Sequence, residues 1–246
     1  MKFLAKLTLL AFLASDTTQF LAAALPLAQG SPVQVRLSLN DKLESRIPDF
    51  DTAGLPLLEV MIDLAFKYEL PMGIEYASRD AISRPINMRF HDDSLRTILK
   101  TVVGQVPYYA VDFSGAVVHV YSQKAREDPS NLLNRVIRDF SVEAVDTRDA
   151  DLELVCALSR ELDRSSMCGG SIAKGQWGPL KITLHLTNVR VYQVLDAIAA
   201  QNGKAIWSVI APPSRLVGTA SGDLWHIYPL EAPFKGAVLE KLSTLK

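Results

Sequence analysis

Alternating apolar and polar positions give way, several times along this chain, to apolar residues spaced three and four apart. Val33 to Leu39 alternate and predict a strand or extended lead-in. Ile47-Pro48-Asp49-Phe50-Asp51 predicts a short strand that turns at Thr52-Ala53-Gly54. Leu57, Leu58, Met61, Ile62, Ala65 and Phe66 then fall on one helical face, which Pro71 and Gly73 end before the strand Ile74-Glu75-Tyr76. Ile86, Met88 and Phe90 alternate in a further strand. Asp92 or Asp93 is placed to cap the helix that carries Leu95, Ile98, Leu99, Val102 and Val103. Gly104 and Pro107 stop that helix. Tyr109–Phe113 and Ala116–Tyr121, joined through Ser114-Gly115, predict a hairpin.

The pattern then starts again. Residues 123–137 are polar and read as a linker, with Lys124, Arg126, Glu127, Asp128 and Pro129. Arg138–Val145 predicts a strand, and Asp149-Ala150-Asp151 opens a helix through Leu152, Val155, Cys156, Leu158 and Leu162. A Ser- and Gly-rich loop covers 165–178. Strand 180–186, helix 190–202 and strands 205–210 and 224–228 follow. The run Pro85–Leu99 has its counterpart in Lys181–Leu195, about 96 residues on. Val118-His119-Val120-Tyr121 likewise matches Trp225-His226-Ile227-Tyr228. A period that long marks duplicated small domains, since solenoid repeats are shorter. The expected fold is α+β: two tandem small mixed-sheet modules, each with two helices packed on short strands. The first spans 47–122 and the second 138–229, with a lead-in at 31–46 and a tail at 230–246.

Composition narrows the class. Of the 246 residues, 48% are hydrophobic and 22% charged, which suits a globular chain. The net charge of −1 gives no support to nucleic-acid binding. Lys2 and Lys6 flank the apolar run Leu7–Ala14, and small residues follow at Ala22-Ala23-Ala24 and Ala28-Gln29-Gly30. This is the layout of a secretory signal peptide over residues 1–30. Asp16-Thr17-Thr18-Gln19 interrupts the run, short of the roughly 20 apolar residues of a membrane span. The mature chain is expected to carry no transmembrane segment. Its two cysteines, Cys156 and Cys168, would meet an oxidising compartment and are a disulfide candidate. Cys156 is also readable as a small core residue on a helix.

Phe50–Ser122, with its strand near Phe50, its Leu- and Ala-bearing helix, Ile86-Asn87-Met88-Arg89-Phe90 and the closing hairpin, resembles the STN domain (secretin and TonB short N-terminal domain). Residues 139–228 resemble it more loosely. The resemblance implies a small periplasmic module of mixed strands and two helices. It also implies partners in the envelope: an outer-membrane secretin, a TonB-dependent receptor or a membrane-bound regulator. The chain ends without room for the outer-membrane barrel that usually follows such modules, so a transport function is not implied.

Catalytic chemistry finds little footing. His119 and His226 hold matching positions on closing strands, as a shared structural slot facing an edge would. No His, Cys or carboxylate spacing suits zinc, so no metal and no cofactor is expected. Ser165-Ser166-Met167-Cys168-Gly169-Gly170 lacks the context of a nucleophile elbow. The expected function is a periplasmic protein–protein interaction module, an adaptor or accessory subunit of a cell-envelope assembly, and not an enzyme. Partner-binding candidates are Val117, His119 and Tyr121 on one closing strand, Trp225, His226 and Tyr228 on the other, and Trp177 in the Gly-rich loop. The alternatives are a secreted envelope hydrolase working through the 165–178 loop, or a small-ligand-binding protein.

Overall fold

The computed structural model describes residues 38–75, 80–162, 181–209, 225–230, 235–236 and 239–240. The first half runs α1 (Leu39–Glu44), β1 (Arg46–Asp51), α2 (Leu57–Tyr68), β2 (Met72–Ile74), α3 (Asp80–Ser83), β3 (Arg89–Ser94), α4 (Leu95–Val103), β4 (Tyr109–Asp112) and β5 (Val118–Ser122). The second half runs β6 (Val136–Val145), α6 (Thr147–Glu161), β7 (Ile182–Arg190), α7 (Val191–Asn202), β8 (Ala205–Val209) and β9 (Trp225–Pro229), after α5 (Gln123–Glu127) and a 3-10 turn at Leu132–Asn134. The class is mixed α+β. The order β1–α2–β3–α4–β4–β5 recurs as β6–α6–β7–α7–β8–β9.

In each half the strand before the second helix pairs antiparallel with the opening strand: β1 with β3, and β6 with β7. Asp92 in β3 and Asn188 in β7, 96 positions apart, both take a left-handed backbone, with φ 54° and 52°. Asp and Asn tolerate that conformation better than most residues with a side chain. The strand continues past Asp92 to Ser94 with its register to β1 unbroken. The helix cap expected at Asp92 or Asp93 is instead Ser94, whose hydroxyl accepts from the Thr97 N–H. The same kind of shift opens α6 earlier than expected, because Asp146, not Asp149, supplies the capping oxygen. The expected strand at 33–39 has its described end in α1, which a reciprocal Ser38–Asp41 capping box starts.

The two halves meet in one five-stranded sheet, ordered β4-β5-β2-β8-β9. β2 pairs in parallel with β5 on one side and with β8 on the other. Alternation of side chains sorts this sheet by face. Met72, Ile74, Val118, Val120 and Ile206 point into a core with α2 and α4. Ala205, Trp207, Trp225 and Ile227 point into a second core with α6 and α7. Each half thus packs its own helices on one sheet face and covers part of the other half's opposite face.

β2 can be central because of Gly73. It lies opposite His119 of β5 and Trp207 of β8, and Trp207 is fully buried over it. A Cβ there would stand 2.6 Å from the indole nitrogen.

The segment read as a linker is folded. Asn134 Nδ2 shares its two hydrogens among the carbonyls of Ala125, Arg126 and Asp128, at 2.9, 2.9 and 2.8 Å. Leu132 and Leu133 are buried in the second core. Polar composition here reflects side chains that satisfy a tight turn's backbone.

Gly73→Ala is expected to lower the unfolding free energy by about 2 kcal/mol, the cost of overpacking a filled site. In urea melts the pair Gly73→Ala with Trp207→Phe should lose less than the two single changes added together. A Gly73→Ala protein as stable as the parent would contradict this packing.

Candidate functional site

At the junction of the halves lies a buried cluster of charged and aromatic side chains. Glu75, directly after β2, is 2% exposed, and its Oε1 stands 3.0 Å from His119 Nε2 and accepts from Arg126 at 3.0 Å. His119 Nδ1 is 3.1 Å from Asp196 Oδ2 on α7. Asp196 Oδ1 accepts from the Trp207 indole N–H at 2.9 Å. Glu75 and His119 come from the first half, Arg126 from the connecting α5, and Asp196 and Trp207 from the second half.

Local structure sets each position. Glu75 follows Gly73 by two residues, so it projects on the same sheet face. The register of β2 with β5 brings His119 beside Gly73, and the missing side chain lets the His119 and Trp207 rings meet edge to face, 5.1 Å between centroids. Tyr192 and Asp196, four apart on α7, share one helical face turned to this patch. Tyr192 holds the His119 ring at 5.3 Å and the Arg126 guanidinium at 3.9 Å, with Tyr121 on Arg126 at 4.2 Å.

Burial works against a charge on His119, but hydrogen bonds and attraction from Asp196 and Glu75 outweigh it and lift its pKa to about 9. At neutral pH His119 is a cation with a proton on each nitrogen. Its 3.3 Å approach to Arg126 is then two cations sharing Glu75, not a hydrogen bond between them. Two carboxylates bond the two cations, and Asp112, opposite His119 on β4, adds a third negative group within electrostatic reach of both. A cavity of about 310 Å³ opens beside it, lined by Asp112, Ser114, Val117, Tyr192 and Ala200 among others.

A second carboxylate, half-buried, ties α6 to β9. Asp151 accepts from the Trp225 indole N–H at 2.6 Å, and burial pushes its pKa up to about 6.

The partner-binding candidates fall in three places. β5 has neighbours on both sides, so Val117 and His119 are buried and no further strand can add there. That corrects the edge-facing reading of His119: the position faces away from its own helices, and α7 of the other half covers it. Tyr121 is half-buried against Arg126. Trp225 is buried, while His226 and Tyr228 are half-buried on β9, an outer strand of the sheet. Trp177, Cys168 and the Ser165–Gly178 loop lie outside the described residues, as do residues 1–30. Cys156 is buried on α6. Sequence reasoning passed over Gly73, Glu75, Arg126 and Asp196. The available signals were a charge inside the apolar stretch Met72–Tyr76 and an arginine in a supposed linker.

No protein family, no curated protein and no solved structure matches the chain.

His119 ties stability to pH. Its folded pKa near 9 lies above the unfolded 6.5, so its contribution, on the order of 3 kcal/mol, is complete below pH 6.5 and fades as pH rises through 9. Asp151 acts in a separate window: its raised pKa favours the fold below pH 3.8, and that advantage is lost as pH rises through about 6. Urea midpoints across pH should show the parent weakening between 6.5 and 9. His119→Asn should be less stable at pH 6 and flat over the upper window, with the lower window unchanged. A parent profile that is itself flat from 6.5 to 9 would refute the cationic assignment.

Proposed function

We propose that this chain is an exported protein–protein interaction module built of two STN-like units, an adaptor or accessory subunit of a secretin- or TonB-linked assembly of the cell envelope. One observation carries the reading: the two halves bind each other as separate proteins do. β2 of the first half adds in parallel to β8 of the second, which is strand addition at a sheet edge. The outward sheet face around His119 is then covered by α7 and neutralised by Asp196. A unit that recognises its own duplicate through an edge and an outer face has the means to recognise other partners.

Further support comes from the signal-peptide layout of residues 1–30. No described helix is long and apolar enough to cross a membrane. The junction histidine, held as a cation between two carboxylates, suits cohesion better than proton transfer.

Protein isolated from the cell envelope should begin near residues 24–31 by N-terminal sequencing. Its cysteines should resist alkylation until reduced, as an exported Cys156–Cys168 bridge requires. Affinity capture from envelope extract at near-native salt should recover a defined envelope protein. Full-length, alkylatable protein in the cytoplasm that captures nothing would rule the reading out.

A further inference from the structure

We propose that the outer edge of β4 is a docking strand, which receives in parallel an extended segment of another protein: an apolar stretch preceded by a carboxylate. The proposal rests on reading the chain as an interaction module and names the edge and the chemistry of the partner.

The contact inside the chain sets the pattern. β8 is the first strand of the second half's closing hairpin, and its outer edge is where the first half attaches. β4 is the first strand of the first half's closing hairpin. The two align at the repeat distance of 96: Ala110 with Ile206, Val111 with Trp207, and Asp112 with Ser208. No described strand pairs with the outer edge of β4. β9, the other outer strand, corresponds to β5, whose outer neighbour is the β2 of its own half. The comparison therefore points to β4 as the edge that meets a different unit.

Backbone orientation agrees. The Leu230 N–H donates to the Lys204 carbonyl, so by the two-residue alternation of an antiparallel ladder the Trp207 N–H and C=O face β2. The Gln123 N–H donates to the Tyr108 carbonyl, which by the same alternation turns the Val111 N–H and C=O away from β5, to the open edge.

Charge repeats as well. Before β8, Lys204 Nζ bonds Glu69 Oε1 at 3.0 Å, and Glu69 precedes β2. The residue equivalent to Lys204 is Tyr108, and over its ring sits the Lys124 ammonium, 3.5 Å from the centroid. A cation therefore stands at the start of each acceptor strand. Tyr108 itself is 58% exposed, one of two exposed large hydrophobics among the described residues, and an aromatic anchor of the kind enriched at interfaces.

The probe is the donor strand's own sequence as a free peptide, Tyr-Glu-Leu-Pro-Met-Gly-Ile-Glu, copying Tyr68–Glu75. Titrated into the labelled full chain, it should protect the Val111 amide from hydrogen exchange. Lys124→Glu should weaken the peptide about five-fold while leaving the urea midpoint unchanged, and a peptide carrying Lys in place of its first Glu should recover the loss. No binding, protection at the Trp225 and Ile227 amides instead, or indifference to Lys124→Glu would each overturn the proposal. So would a photo-reactive residue at Tyr108 that yields in cells only self-adducts between copies. If envelope capture by the full chain still succeeds while the probe fails, the edge assignment falls and the interaction reading stands. If both are empty, the reading itself falls.

Discussion

The structure depends on a side chain that is missing. Gly73 is the middle residue of a three-residue strand, and through that strand the two halves become one sheet. Any larger residue would collide with Trp207, the largest of the fully buried side chains. With the indole lying against β2, Trp207 reaches His119 across the strand and sends its N–H to Asp196. The glycine, the indole and the charged cluster are one arrangement. Gly in a strand is usually a weakness, because it loses more backbone entropy and packs nothing. Here the close approach of a large ring explains it.

The charged cluster answers a problem that this packing creates. The face of β5 pointing away from its own helices would meet water in an isolated unit, and there His119 and Tyr121 are ordinary outward residues of an alternating strand. Once α7 covers that face, the same positions lose their solvent. A buried charge without a partner costs several kcal/mol, and even paired charges gain little net stability over a well-packed apolar core. The balance of Glu75, His119, Asp196 and Arg126 is therefore better understood as setting which surface joins which. An apolar patch would accept many orientations, whereas this one requires a cation opposite each carboxylate at hydrogen-bond distance.

This explains what the sequence could and could not reveal. The elements were legible because burial by a unit's own helices writes period into its strands and helices: Leu57 to Ala65, Leu95 to Val103, and Val118 and Val120. The similar order of elements in the two halves was legible for the same reason, and Asp92 and Asn188, 96 positions apart, take the same left-handed backbone. His119 was misplaced because its alternation is that of an outward residue, and only the other half's helix changes its environment. Ser94 escaped notice as a cap because two aspartates stand directly before it. Arg126 and Asn134 read as linker because polar residues that satisfy a folded turn look, in one dimension, like polar residues in water.

The way the halves join also sets a direction. Donor and acceptor edges differ, β2 on one side and β8 on the other, so the contact is head-to-tail and not a two-fold pairing. Head-to-tail contacts close into rings or run on as open filaments, according to the rotation between successive units. Two joined units use one donor and one acceptor, which leaves the acceptor-type edge at β4. That edge carries features that restrain indiscriminate pairing. It is four residues long, enters from the left-handed Tyr108 and ends on the exposed Asp112, whose carboxylate binds the Ser114 N–H. An edge this short offers few backbone bonds, so selectivity has to come from flanking groups. In the junction already made, the Lys204–Glu69 pair stands in that flanking position. At β4 its place is taken by the Lys124–Tyr108 stack, which presents a charge and an aromatic face together.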